Sequence, residues 1–154
     1  DGGAERPAFT SRRKKDNKEK ILIKNNYKLS QKYAIKAAEL IKDHDVIFID
    51  AGTTNELLVQ EIVNPTVTVV TNSIHHATKL VERNVPTVII GGKVKSSTDA
   101  SIGGIALNQI GQLNFDKAFL GMNGIDDEFY STPDLEEGSV KRAIIENSKK
   151  NLIS

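Results

Sequence analysis

Apolar positions change their period along this chain. From Ser30 onward, Tyr33, Ala34, Ala37, Ala38, Leu40 and Ile41 recur at helical spacing, which predicts an amphipathic helix capped by Ser30 and ending near Lys42-Asp43. Short continuous apolar runs then replace that period. Val46-Ile47-Phe48-Ile49 comes first, bounded by Asp45 and by Asp50-Ala51-Gly52. Val67-Thr68-Val69-Val70 follows, then Thr87-Val88-Ile89-Ile90, ended by Gly91-Gly92, then Lys117-Ala118-Phe119-Leu120, ended by Gly121. Runs that are apolar on both faces suit parallel strands covered by helices on both sides. Helices are expected between them at Thr54 to Val63, Ser73 to Arg83 and roughly Gly104 to Leu113. A last helix is expected from near Asp134 through Val140, Ala143, Ile144 and Ile145. Such alternation predicts an α/β fold with right-handed crossovers. Asp16, with Glu19 as its capping-box partner, marks one earlier helix start. No internal repeat or low-complexity tract interrupts the pattern.

Composition narrows the classes of function. The chain has 154 residues, enough for a single domain with a sizeable core. It has no cysteine, which excludes disulfides, zinc ribbons and thiol chemistry. No apolar run approaches the ~18 residues of a membrane helix, and the opening residues show no signal-peptide pattern. The net charge of +1 does not indicate a strongly basic nucleic-acid module, and no helix-turn-helix pattern is present. Basic residues do crowd the start, at Arg12, Arg13, Lys14, Lys15, Lys18 and Lys20. A solvated linker, a charged helix start and a segment lying near nucleic acid all fit that run.

Candidate chemistry gathers where α/β sheets hold ligands, at the carboxyl ends of the strands. The expected strands end in Asp50-Ala51-Gly52-Thr53-Thr54, Thr71-Asn72-Ser73, Gly91-Gly92-Lys93, and the run from Gly121 through Gly124 and Asp126 to Asp127. All carry small, hydroxyl, amide or acidic groups. Gly52 lets the backbone approach a ligand, and two threonines at a helix start add hydroxyls to free N–H groups and a helix dipole. That combination favours an anion such as phosphate; a plain helix cap explains the threonines equally. There is no GxxxxGK[ST] or GxGxxG motif, so a nucleoside triphosphate or dinucleotide is poorly supported. Asn72 offers a donor and an acceptor of the kind a sugar hydroxyl needs, and Ser73 also reads as a helix cap. Glu137 and Lys141 stand at i,i+4, either as a helix pair or as polyol contacts. Lys117, beside Asp116, begins its strand and so belongs at the end opposite the crevice, where a surface ion pair accounts for it. His44, His75 and His76 lack metal-ligand spacing.

Taken in order, these residues resemble a known family. Gly2-Gly3-Ala4, Ile47 through Thr54, Val69 through Ser73, Gly91-Gly92, Asp116 through Gly121, Gly124-Ile125-Asp126, and Glu137 with Lys141-Arg142 resemble the carboxy-terminal sensor domain of DeoR-family bacterial transcription repressors. The stretches Phe115 to Asp126 and Thr132 to Glu137 most resemble repressors of fructose or lactose phosphotransferase operons in Gram-positive bacteria. The resemblance implies a Rossmann-like, mainly parallel sheet with flanking helices, similar to ribose-5-phosphate isomerases and glucosamine-6-phosphate deaminases. It implies a phosphorylated-sugar effector, fructose 1-phosphate or similar, bound without turnover and without cofactor or metal.

By the same resemblance Gly52, Thr53 and Thr54 hold phosphate, while Asp50, Asn72, Gly92, Asp126, Glu137 and Lys141 lie near the sugar. Thr71, Ser73, Gly91 and Gly124 complete the expected ligand-binding set. Lys117 matches a family motif residue, against its expected place in the strand. Residues 1–15 then read as a linker from a missing DNA-binding domain and 16–154 as the sensor. The family continues after the last helix into a further strand and an Asp-x-Ser-Lys segment, so the end at Asn151-Leu152-Ile153-Ser154 is expected to be truncated. Operator DNA is expected only through the missing domain, in a cytoplasmic homo-oligomer with no membrane contact. A sugar-phosphate isomerase of similar fold is the alternative.

Overall fold

A computed structural model of the protein describes residues 27–121 and 135–153. In chain order these form α1 (Tyr27–Glu39), β1 (Val46–Ile49), α2 (Thr53–Glu61), β2 (Thr68–Thr71), α3 (Ile74–Glu82), β3 (Thr87–Ile89), β4 (Lys93–Lys95), β5 (Ala100–Ile102), α4 (Gly103–Gly111), β6 (Phe115–Leu120), α5 (Leu135–Glu146) and β7 (Ser148–Ile153). The strands of the main five-stranded sheet run in the order β3-β2-β1-β6-β7, all pairs parallel. β4 and β5 make a separate antiparallel pair.

Alternation along the central strands builds a core on each face of the sheet. Ile47, Ile49, Val69 and Phe119 point to one face, where they pack with Ala34 and Ala37 of α1, Leu58 and Val59 of α2, and Leu80 of α3. Phe48, Val70, Ala118 and Leu120 point to the other, against Ala106 and Ile110 of α4 and Val140 and Ile144 of α5. The rings of Phe48 and Phe115 meet edge-on at 5.3 Å, a favoured aromatic geometry. The expected α/β class, the central strands and the helices between them are therefore present, with ends shifted by a few residues.

Several expectations need correction. α1 already runs from Tyr27, so Ser30 lies inside it and is not its cap. The proposed cap at Asp16 lies outside the described residues. The segment after Gly91-Gly92 is a hairpin. Its strands are only three residues long and carry Lys93 and Lys95, so no apolar run announced them. Residues 148–153, expected to stop short of a further strand, are that strand: β7 pairs with β6 from Phe115↔Ser148 to Leu120↔Ile153. Its sequence SKKNLI is mostly polar, which hid it.

The amino-terminal edge of the sheet is fastened by charge. Lys117 Nζ donates to Asp45 Oδ2 at 2.7 Å, with both side chains largely buried. Asp116 Oδ2 accepts from the backbone N–H of Val46 at 2.8 Å, and that bond is the main reason its carboxyl lies below the ordinary range. Lys149 of β7 adds an ion pair to Asp116 at 3.3 Å.

Gly92 has φ 133, and a Cβ there would lie 2.9 Å from the Ile102 carbonyl oxygen and 3.2 Å from the Ala106 nitrogen. The close approach of β4 to the start of α4 thus depends on a missing side chain. A Cβ on Gly91 would meet nothing nearer than the Gln109 amide at 3.5 Å. Gly92→Ala is expected to lower stability in urea by about 2 kcal/mol or more, and Gly91→Ala by well under half of that. Equal midpoints for the two variants would refute the close-approach account.

Candidate functional site

The strand order reverses at β1, which has β2 on one side and β6 on the other. A crevice is expected just beyond the carboxyl ends at such a point. One of about 460 Å³ lies there, bordered by Asp50, Gly52, Thr53, Asn72, His76 and Lys141 among others.

Asp50 forms its floor. The residue is 3% exposed, and both carboxylate oxygens accept hydrogen bonds. Oδ1 accepts from the Ala51 N–H at 3.0 Å, while Oδ2 accepts from the Gly121 N–H at 3.2 Å and from Lys141 Nζ. Lys141, buried on α5, brings its charge across 91 positions of sequence to this carboxylate. Asn55 ties the same corner: its Nδ2 donates to the carbonyls of Asp50 at 2.8 Å and Phe119 at 3.2 Å. Sequence reasoning passed over Asn55. A buried-polar signal inside a helix between two strands would have marked it.

The α2 start is open to this space. Gly52 caps it in an extended, positive-φ conformation (φ 145, ψ 155) with no side-chain cap bond. Thr53 stands exposed on its first turn. The cap position belongs to Gly52, so the plain-cap explanation fails for Thr53 and Thr54, which follow it, and the turn presents backbone N–H groups and the helix dipole toward the crevice.

Asn72 stands beside it, its Oδ1 accepting from the Ala51 N–H at 3.2 Å. Its carbonyl accepts from Ser101 N–H at 2.8 Å, which docks the hairpin onto β2. Ser73 is the cap of α3, accepting from the His76 N–H at 3.1 Å. Thr71 is structural as well: its hydroxyl donates to the Ile49 carbonyl at 2.7 Å and accepts from Ser73 N–H at 3.1 Å.

Other expected members fall elsewhere. Lys117 sits at the opposite end of the sheet, paired with Asp45, so its motif match does not bring it to the crevice. Gly91 donates its N–H to Gln109 Oε1 at 2.7 Å and Gly92 serves the contact with α4. Gly124 and Asp126 lie outside the described residues. Glu137 is on the first turn of α5, and Thr54 is on that of α2.

The crevice also takes in residues that no motif flagged. Ser97, Thr98 and Asp99 at the tip of the β4–β5 hairpin form one wall. Glu56 and His75 stand at the rim, 3.8 Å apart. His76 lies deeper. It is 2% exposed and neither ring nitrogen has a hydrogen-bond partner. The Asp50 carbonyl lies near enough to favour the charged ring slightly, yet it makes no proper hydrogen bond to it. Burial holds the imidazole below its ordinary pKa, against the opposing pull of Glu56 and Asp50 and with help from His75. It is therefore neutral near pH 7. Among the described residues no cluster is placed to hold a metal ion, and no helix is long and apolar enough to cross a membrane.

A family model described as the DeoR C terminal sensor domain matches residues 25–153. The chain belongs to that family. The sensor domain is 39% identical over 121 residues to an uncharacterized HTH-type transcriptional regulator, FruR, of Bacillus subtilis, covering 77% of this chain and 48% of that protein. It is 33% identical to the lactose phosphotransferase system repressor of Staphylococcus aureus, over 75% of this chain and 47% of the other. Identity to the glycerol-3-phosphate regulon repressor of Escherichia coli is 36%, over 77% and 48%. The chain thus spans about half the length of the curated relatives it matches. Among solved structures, ribose 5-phosphate isomerase A of Methanocaldococcus jannaschii superposes with a TM-score of 0.56 at 19% identity, covering 83% of this chain and 52% of that one. The Plasmodium falciparum enzyme gives 0.52 at 13%, over 80% and 48%. These likenesses establish the isomerase-like fold.

The neutral state of His76 has a pH consequence. Its folded pKa lies below the unfolded value of 6.5, so the unfolded chain takes up the proton first and stability falls as pH drops through that range. The urea midpoint of the wild type is expected to decline from about pH 7 to pH 5, and His76→Leu is expected to flatten that decline. His44 and His75, both exposed, remain in the variant as internal controls. An unchanged slope would place the titration elsewhere.

Proposed function

We propose that this domain senses a small phosphosugar for a bacterial transcription repressor, and that the crevice at the β1–β6 switch point receives it without turnover. The observation that carries the reading is the open start of α2: Gly52 gives no side-chain cap, and the helix faces a polar cavity. Phosphate suits that position because it meets N–H groups and the positive end of the helix dipole. Asn72 and the Asp50–Lys141 pair supply donors and acceptors for hydroxyls. Asp126 and Glu137 are proposed to join them, and Thr54 to share the phosphate.

Fructose 1-phosphate is the first choice, with tagatose 6-phosphate and fructose 1,6-bisphosphate as competitors. The E. coli relative's name adds glycerol 3-phosphate to the set worth testing. Operator binding is proposed to belong to a separate amino-terminal domain joined through residues 1–15. The sensor is proposed to act in the cytoplasm as a two-fold homo-oligomer.

The second reading is a sugar-phosphate isomerase, which the fold likeness favours. Against it, both Asp50 oxygens are already engaged, leaving that carboxylate poorly placed as a general base. Turnover of ribose 5-phosphate or a hexose phosphate at about one per second or faster would establish the enzyme reading instead.

Binding is expected to raise thermal stability, by about 2.7 kcal/mol when free phosphosugar reaches a hundred times its dissociation constant. Thr53→Glu puts negative charge at the helix start and is expected to abolish the shift while leaving the exposed turn folded. A shift of wild-type size in that variant, or none in the wild type with any of the four compounds, refutes the phosphate site.

Lys117→Ala serves as the contrast. It leaves Asp45 unpaired and is expected to cost about 3 kcal/mol of stability, with the phosphosugar shift retained. Loss of the shift would return Lys117 to the site.

A further inference from the structure

We propose that His76 is a recognition residue for the sugar part of the bound molecule, meeting a hydroxyl through a ring nitrogen. This rests on the phosphosugar reading of the crevice and adds to it a residue that no motif assigns. Three observations carry it. First, Nδ1 and Nε2 are buried without any partner, in a side chain that is 2% exposed. A buried polar group left unsatisfied costs about 1–3 kcal/mol, so its retention in a cavity wall points to something that completes it there. Second, His76 borders the crevice together with Asp50, Asn72 and Lys141. Third, its own backbone N–H is fixed by Ser73 Oγ at 3.1 Å, so α3 holds it in place from the first turn.

The chemistry of the neutral ring selects the partner. A neutral imidazole has one N–H donor and one acceptor nitrogen. A hydroxyl both donates and accepts, so it can pair with a ring nitrogen in either tautomer. A phosphate dianion only accepts, and can meet the N–H alone. Asp50 and Glu56 face the ring with negative charge, which further disfavours phosphate at this position. The phosphate end therefore belongs at Gly52 and Thr53, with the sugar hydroxyls turned toward α3.

The test pairs His76→Leu, which removes both capacities, with His76→Gln, which restores a donor and an acceptor. Without added compound, His76→Leu is expected to unfold at the same or a higher urea concentration than wild type, since it deletes an unsatisfied group. Calorimetric titration of His76→Leu with fructose 1-phosphate is expected to show about a tenfold loss of affinity. Inorganic phosphate should bind within about twofold of wild type, and His76→Gln should recover part of the sugar-phosphate affinity. If the substitutions prevent folding, the ring nitrogen resonances of His76 in the wild type decide: they are expected to move on saturation with fructose 1-phosphate and to stay fixed with inorganic phosphate.

Where fructose 1-phosphate gives no thermal shift, tagatose 6-phosphate, fructose 1,6-bisphosphate and glycerol 3-phosphate are titrated in its place. Wild-type affinity in His76→Leu, equal losses for sugar phosphate and inorganic phosphate, or unmoved ring resonances would each overturn the role of His76 alone. Failure of the wild type to bind all four would remove the phosphosugar reading, and this assignment with it.

Discussion

A carboxylate buried at the end of the central strand has to be satisfied, and much of this molecule's functional end follows from how Asp50 is. Water is largely excluded from it, so its charge must be met by the chain. Lys141 supplies the cation, and the N–H groups of Ala51 and Gly121 supply hydrogen bonds. These come from three places: the second residue after β1, the first residue after β6, and α5. Meeting the needs of one side chain thereby draws together two adjacent strand ends and a helix from the far part of the chain. Asn55 repeats the arrangement on the backbone, bridging the carbonyls of Asp50 and Phe119. Removing either anchor would leave polar groups stranded in a dry environment.

The same economy separates the two ends of the sheet. At the amino-terminal edge, Asp45, Lys117, Asp116 and Lys149 satisfy one another and the Val46 N–H. No described group in that set is left waiting for a partner. At the carboxyl edge, capacity remains: the α2 start lacks a side-chain cap and His76 lacks partners. A folded domain ordinarily closes such accounts internally. Buried side-chain atoms without a partner occur elsewhere too, at Tyr33 and Asn151 among the described residues, but His76 is one that borders the crevice.

Legibility in the sequence followed the strength of the local signal. The runs at Val46–Ile49 and Lys117–Leu120 are apolar enough to read as buried strands, and Ser73 reads correctly as a cap because its neighbours are helical. β4 and β5 were illegible because strands of three residues, one of them bearing two lysines, hold their place through docking on Asn72, a tertiary contact. β7 was missed for a related reason: as an edge strand with one paired side, SKKNLI needs little apolar character. Of the residues bordering the crevice, Asp50, Gly52, Thr53 and Asn72 stood out by their places at strand and helix ends, and Lys141 by its i,i+4 spacing to Glu137 and by the family resemblance. His76 was not, since one of two adjacent histidines in a helix is uninformative until its burial and lack of partners are known. Gly92 illustrates the converse: a glycine at a strand end suggested ligand approach, while its missing side chain makes room for α4.

The crevice is assembled from parts that are remote in the chain. The bonds from Asp50 to Gly121 and Lys141 span 71 and 91 positions, and β1 can complete its pairing only when β6 arrives. Closing loops of that size costs entropy before any contact repays it. An early local fragment such as α1 with β1 and α2 holds the floor, Asp50, but not the whole cavity, because the hairpin wall and Lys141 come from the later half. The crevice is therefore complete only when the whole sheet has closed, and a fragment ending before α5 holds Asp50 without the lysine that pairs with it.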